Sequence, residues 1–262
     1  MSVVAIDIGN TRVGFNVFTA GKAQDPAVRL THAELDKELA GTLKTQWEKA
    51  QHETQEAADE DCGVVIASVV PELTERVEHS VLQYLNTKAL VVGRQIKVPV
   101  KTMLKEDSGV GQDRLLAVMA AYVNVEKACV IVQVGSALVV DCIDDEGIFR
   151  GGSIGPGLAM GAKALHDFAA QLPMVALTPP ADESPFGAST NEAINLGLYI
   201  GARGAVRELV ERYATALGSW PQVVATGGDA TVLLEPMGLV DSFVPDLVLQ
   251  GAALAWEHWR KD

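Results

Sequence analysis

Residues 4–18 read VAIDIGNTRVGFNVF: an apolar strand carrying Asp7 near its end, the turn Gly9-Asn10-Thr11, and a second apolar strand. A carboxylate at the end of a buried strand needs a cation or a hydrogen-bond partner, because keeping it ionised and unpaired in apolar surroundings is costly. A magnesium nucleotide supplies such a cation. Gly9 lets a ligand approach the backbone, and the Asn10 amide, the Thr11 hydroxyl and the turn N–H groups can cradle phosphate oxygens. An ordinary hairpin with a polar turn fits the same stretch.

A second copy of the pattern favours the ligand-binding reading. Residues 131–143, IVQVGSALVVDCI, repeat the grammar of residues 5–17, so that Asp7-Ile8-Gly9-Asn10-Thr11 lies over Gln133-Val134-Gly135-Ser136-Ala137. Two halves that each open on such a hairpin predict a duplicated domain with a nucleotide between the copies. The expected division is 1–115 and 116–262. Around the hairpins, strands alternate with helices. Leu35, Leu39, Leu43 and Trp47 make one apolar stripe in a charged helix over 33–60, 63–69 is a strand, and Pro71 opens a helix burying Leu73, Val77, Val81 and Leu85. A strand at 89–92 leads into the most mobile loop of the first half, which runs to Gly111; a helix from Asp113 and a hairpin over about 128–150 follow. Residues 171–190 contain four prolines and read as irregular. A helix over 191–217 is expected to bury Ala193, Leu196, Ile200, Val206, Leu209 and Tyr213, and a strand at 222–226 runs into Gly227-Gly228. The pattern predicts an α/β architecture with antiparallel hairpins set into each sheet.

At 262 residues, with 48% apolar and 21% charged residues, the chain has enough material for two modest folded domains. Its net charge of −13 argues against a nucleic-acid backbone or an anionic membrane as partner. It leaves ATP open, since local turns and Mg²⁺ hold phosphates on an acidic protein. The start MSVVAIDIGN has no basic region followed by a long apolar run, and no stretch is apolar enough for a membrane span, so a cytoplasmic protein is expected. Cys62, Cys129 and Cys142 lack metal-ligand spacing and read as reduced thiols.

Gly109-Val110-Gly111-Gln112-Asp113-Arg114 sets a carboxylate and a guanidinium side by side at a loop-to-helix junction. Helix capping with a local ion pair explains that arrangement. So does phosphoryl transfer to an alcohol, with Asp113 taking the hydroxyl proton and Arg114 holding an anionic substrate. Gly151 to Gly157, GGSIGPG, reads as a glycine-rich turn at a helix N-terminus, either an anion site or a tight reversal. Thr226-Gly227-Gly228 carries the same alternatives. His166 reads as a solvated or capping histidine, and Asp144-Asp145-Glu146-Gly147 as a hairpin turn with solvated charges.

Taken together, AIDIGNTRV, ASVVPEL at 67–73, GVGQDR at 109–114, GGSIGPGL at 151–158, AST at 188–190 and VVATGGDA at 223–230 resemble the type III pantothenate kinases, of the acetate and sugar kinase, Hsp70 and actin superfamily. The resemblance covers nearly the whole chain. It implies two ribonuclease-H-like (actin-like ATPase) domains with mixed sheets flanked by helices, and a homodimer. It implies ATP-dependent phosphorylation of pantothenate to 4′-phosphopantothenate, the first step toward coenzyme A. Asp7 would bind Mg-ATP, with Gly9, Asn10, Thr11 and Ser136 at its phosphates and Gly227 and Gly228 lining the nucleotide. Asp113 would be the general base, Gly111 and Arg114 would contact pantothenate, and Thr190 would reach the same substrate across the dimer. A monovalent cation, K⁺ or NH₄⁺, would lie at position 133. There the family pattern is Asp-x-Gly-Thr-Ala, whereas this chain has Gln133, which keeps a carbonyl oxygen but removes one negative charge. The tyrosine that often precedes the family's Gly-x-Asp-Arg is also missing from residues 96–110. These departures support an alternative, a catalytically weak relative with a nucleotide-binding or regulatory role.

Overall fold

The computed structural model describes residues 1–56, 62–105, 109–181 and 185–261. In chain order the first half contains β1 (Ser2–Ile8), β2 (Arg12–Thr19), β3 (Lys22–Ala23), β4 (Val28–Thr31), α1 (Leu35–Glu56), β5 (Cys62–Ser68), α2 (Pro71–Leu85), β6 (Ala89–Val91), β7 (Lys101–Thr102) and α3 (Gln112–Val125). The second contains β8 (Cys129–Val134), β9 (Ala137–Ile143), β10 (Ile148–Pro156), α4 (Leu158–Phe168), α5 (Thr190–Leu217), β11 (Gln222–Thr226), α6 (Ala230–Leu234), β12 (Ser242–Phe243) and α7 (Leu247–Lys261). Of the segments expected from sequence, the helix beyond residue 56, part of the loop before Gly111 and part of 171–190 lie outside the described residues.

The repeat is borne out strand by strand. In the first sheet, ordered β3-β2-β1-β5-β6 with β4 also on β2, β1 runs antiparallel to β2 and parallel to β5. In the second, ordered β12-β11-β8-β9-β10-β7, β8 runs antiparallel to β9 and parallel to β11. Both are mixed sheets flanked by helices, the ribonuclease-H-like arrangement. In each, alternate residues of the leading strand enter a helix-backed core: Val4, Ile6 and Ile8 with Leu35, Leu39, Leu43, Val77 and Val81 in one, and Val130, Val132 and Val134 with Tyr199, Val206 and Val210 in the other. With a side-chain period of two, Asp7 and Gln133 fall on the opposite faces of their sheets.

The chain divides into two compact units: Met1–Lys101 with Lys105–Val123 and Asp246–Asp262, and Thr102–Leu104 with Asn124–Pro245. This differs from a single cut at 115. The C-terminal helix α7, left unassigned by the sequence reading, packs Leu249, Ala252, Ala253 and Trp256 with Val3, Ala5, Val65 and Leu116 of the first unit. Gly63 is bare because Trp256 covers it: a Cβ there would lie 2.6 Å from the indole. Burying a stripe of this size favours the return by several kcal/mol, and a repeat-based boundary does not register it.

Three local expectations are corrected. Residues 151–156 are strand rather than turn, because β10 pairs with β9 up to Pro156, with a bulge between Phe149 and Gly151. Only Gly157 stands at the start of α4. Helix α5 buries Ile194, Asn195, Tyr199, Val206 and Val210, leaving Ala193 and Ile200 exposed. Its apolar residues recur on several faces, so periodicity alone does not choose the one that packs. Asp144 is buried: burial acts to raise its carboxyl, but the Ile148 and Glu146 N–H groups and Arg150 outweigh it and hold it below its ordinary value.

Candidate functional site

In the first unit, Gly9 closes the hairpin turn, its N–H donating to the Arg12 carbonyl at 3.0 Å, and Asn10 and Thr11 are exposed beside it. Gly9 is not in the left-handed region; its service is a tight turn, where an added Cβ would press to 3.3 Å on the Arg12 carbonyl. His32 Nε2 lies 2.9 Å from the Gly9 carbonyl and donates to it. The Ser68 hydroxyl of the ASVVPEL segment accepts the Val70 N–H at 3.0 Å and meets Thr74 Oγ1 at 2.6 Å, fixing the start of α2.

Asp7 sits at the end of β1, and its carboxyl is pushed up to about 7, first by burial, then by the negative charges of Asp113 and Asp246, with Arg29 opposing. Strand register explains the company. Asp7 pairs with Gly14, and Gly14 pairs with Arg29, so the three form one row across β1, β2 and β4. Because Gly14 has no side chain, Leu249 of α7 comes down onto it, 3.3 Å from where a Cβ would stand. That brings Asp246, the residue ahead of α7, to the row. It pairs with Arg29, takes a hydrogen bond from the Ala27 N–H, and is itself raised by burial. Asp246 has a φ of +62°, unusual for a residue other than glycine.

Asp113 enters from α3. The helix begins at Gln112, the Gly111 carbonyl accepts the Arg114 N–H at 3.2 Å, and Asp113 stands in the first turn rather than at the cap. Its carboxylate folds back over Gly111 so closely that a Cβ at 111 would collide with Oδ1. The Gly-x-Asp-Arg segment is thus a device for aiming Asp113 back past its own helix start, with Arg114 half-buried beside it. Among the described residues, no three His, Cys, Asp or Glu side chains converge closely enough to hold a metal by themselves. The carboxylates fit a divalent ion that arrives on phosphates and keeps most of its ligands there.

In the second unit, Gln133 stands at the corresponding end of β8, paired with Val139 and Thr226. Its Nε2 is buried and has no hydrogen-bond partner among the described residues. Three chain segments close around that strand end. Gly135 and Ser136 form the hairpin turn. Gly157 donates its N–H to the Ser136 carbonyl at 3.2 Å, and a Cβ on it would strike the Gly135 carbonyl. Gly227, with φ +104°, lies against Val134, whose carbonyl also accepts the Asp229 N–H at 3.3 Å. Gly228 is open. Asp141 is fully buried and leans over Gly152 of β10, the side of β9 away from β8, so its charge does not replace the one absent at 133.

Thr190 opens α5, exposed, after Ser189 caps the helix through the Glu192 N–H and Glu192 returns a bond to the Ala188 N–H at 2.9 Å. A cleft of about 260 Å³ lies beside it, lined by Thr178, Phe186, Gly187, Glu192 and Asn195 among others. His166 binds the Leu172 carbonyl at 2.9 Å, a structural contact. The structure therefore groups Asp7, Gly9, Asn10, Thr11, Gly111, Asp113 and Arg114 in the first unit and Gln133, Ser136, Thr190, Gly227 and Gly228 in the second. Arg29, His32 and Asp246 belong to none of the sequence motifs and join these residues only through the fold. For Asp246 a signal existed: Pro245-Asp246 ahead of an apolar run marks a helix start.

The sequence model of the type III pantothenate kinase family matches residues 3–212. A type III pantothenate kinase of Dehalococcoides mccartyi is 35% identical over 256 residues, covering 97% of each chain. One of Rhodospirillum rubrum is 30% identical over 261 residues, covering 99% of this chain and 100% of its own. Among solved structures, a Baf family protein from Campylobacter jejuni aligns over 100% of both chains with a TM-score of 0.60 at 18% identity. The activator of 2-hydroxyisocaproyl-CoA dehydratase from Clostridium difficile, with bound ADPNP, aligns over 100% of this chain and 96% of its own with a TM-score of 0.51 at 14% identity. The structural likenesses establish the fold. With a family match across most of its length and relatives that align end to end, this chain belongs to the type III pantothenate kinases.

Proposed function

We propose that the protein transfers the γ-phosphoryl group of ATP to the primary hydroxyl of pantothenate, giving 4′-phosphopantothenate and ADP, the first step toward coenzyme A. The observation that carries the reading is the meeting, in a chain of this family, of Asp7 at a strand end with Asp113 aimed back over Gly111. The alcohol oxygen attacks the γ-phosphorus, the bond to the β,γ-bridging oxygen breaks, and ADP leaves with that electron pair. Asp113 takes the alcohol proton. Arg114 holds the pantothenate carboxylate and Gly111 contacts the same substrate. Asp7 would hold magnesium, whose charge would offset that of the phosphate oxygens. Gly9, Asn10, Thr11 and Ser136 serve the phosphates, and Gly227 and Gly228 the rest of the nucleotide.

The protein works as a homodimer in which Thr190 completes the partner's pantothenate site. In support, Met160 and Phe168 of α4, Ile200 of α5, and Met174 and Phe186 of the chain between these helices expose between 49% and 91% of their surface, large apolar side chains of the kind an interface covers. The place of action is the cytoplasm, in keeping with three free thiols, of which Cys129 is pushed up to about 12 by burial and is inert. Among the described residues no helix is long and apolar enough to cross a membrane.

Mass-spectrometric detection of phosphopantothenate from the purified chain, ATP, Mg²⁺ and pantothenate tests the reading. Turnover by the wild type and its loss in Asp113→Asn are expected; absence of product, or undiminished turnover in Asp113→Asn, overturns it.

A further inference from the structure

The internal repeat places Asp7 and Gln133 at equivalent strand ends, on equivalent faces, yet the two side chains ask for opposite partners. Asp7 is a carboxyl raised by burial beside two further carboxylates, a place that a cation relieves. Gln133 carries no charge and buries an N–H donor without an acceptor among the described residues. Leaving such a donor unmade costs about 1–3 kcal/mol, so the position calls for an acceptor from outside the described chain.

The residues around Gln133 do not fit a monovalent cation. Its register partners are Val139 and Thr226, neither of them charged. Asp141, on the same face of β9, is fully buried and leans over Gly152 toward β10. Among Gln133 and its register partners a K⁺ ion would meet an amide, a valine and a threonine, with no carboxylate among them to balance its charge, and it would leave the amide donor unsatisfied. The glycine contacts at 157 and 227 draw the 135–136 turn and the 227–229 turn onto the end of β8, as a loop cluster that admits a ligand to the backbone requires.

We infer that Gln133 is a hydrogen-bond donor to a phosphate oxygen of the nucleotide, and that the kinase consequently works without a monovalent cation. The amide N–H supplies directly, as a neutral donor, the stabilisation of phosphate charge that a bound cation would otherwise provide. The inference rests on the kinase reading.

The test measures pantothenate phosphorylation in Mg²⁺ with tetramethylammonium, K⁺ or NH₄⁺ as the monovalent cation, alongside calorimetric ADPNP binding under the same conditions, for wild type, Gln133→Asp and Gln133→Met. Thermal unfolding checks that each variant is folded. Wild-type turnover and ADPNP affinity are expected to differ by less than about twofold among the three cations. Gln133→Met should bind ADPNP about tenfold more weakly in all of them, the equivalent of one lost hydrogen bond. Gln133→Asp should acquire a K⁺ dependence of about tenfold or more in either readout. Activation of the wild type by K⁺ of tenfold or more, or ADPNP binding unaffected by Gln133→Met, overturns the inference. Should the wild type bind ADPNP but transfer nothing to pantothenate, the kinase reading fails, and the binding data alone decide the role of Gln133 by the same limits.

Discussion

The two halves of the molecule share a strand order and differ at a single telling position. Both open on an antiparallel hairpin whose leading strand is flanked on its other side by a parallel strand. In both, the residue two before the turn glycine lies on the face opposite the core lined by Val4, Ile6 and Ile8 or by Val130, Val132 and Val134; in the first unit that opposite face is covered by α7. Asp7 occupies it in the first unit and Gln133 in the second. Around Asp7 the fold gathers Asp113, Asp246 and Arg29 and pushes the carboxyl up to about 7; around Gln133 it gathers glycine turns and leaves a donor unmet. The scaffold repeats, while the equivalent strand end carries a carboxylate in one copy and a neutral amide in the other.

The largest expected effect falls on the first copy. If Asp113 is the proton acceptor, as proposed, Asp113→Asn should lower kcat by about a thousandfold while leaving ADPNP affinity within about threefold. If ADPNP affinity falls as far as kcat, Asp113 belongs to nucleotide binding instead. Next in size, and in the second copy, Gly227→Ala puts a side chain at φ +104° and against the Val134 carbonyl. It should cost about 2–4 kcal/mol in denaturant unfolding, whereas Gly228→Ala, with open space around it, should change stability by less than about 0.5 kcal/mol. Equal effects would mean that the turn does not close on β8 as described.

A pH dependence sharpens the contrast further. The unfolded chain releases the Asp7 proton near its ordinary 3.8, and the folded chain holds it up to about 7. The Asp7 contribution to stability is therefore complete below about 3.8 and is lost as pH rises through 7. Without magnesium, the Tm of the wild type should fall by several degrees between pH 5 and 8 relative to Asp7→Asn. A parallel pair of curves would show that Asp7 ionises normally. The smallest effect is that of Asp246→Asn, which removes one of the two like charges facing Asp7 and frees Arg29. The Asp7 titration observed by NMR should then move below 7, and no movement would separate Asp246 from the site.

Much of the fold was legible because its signals are local. The apolar runs on either side of Gly9-Asn10-Thr11 and Gly135-Ser136 specify hairpins, and Leu35, Leu39 and Leu43 specify a helix face that is indeed buried. Asp7 and Asp113 are legible as residue types suited to phosphoryl transfer, whereas a role for Gly111 comes only with the family resemblance. What stayed hidden depends on partners far along the chain. Glycines 151, 152 and 155 read as a turn because nothing local shows that β9 pairs with them, or that Asp141 requires the bare backbone of Gly152. The packed face of α5 is chosen by the sheet beneath it. Asp246 lies far from Asp113 in sequence, and only the return of α7 over Gly14 brings it to Asp7.

The most direct test of the divergence between the copies is the affinity for ADPNP, measured with and without Mg²⁺, in wild type, Asp7→Asn and Gln133→Met. The account predicts that Asp7→Asn abolishes the gain in affinity that Mg²⁺ gives the wild type, and that Gln133→Met weakens binding about tenfold to the same extent in both conditions. A Mg²⁺ effect that survives in Asp7→Asn and disappears in Gln133→Met would contradict it.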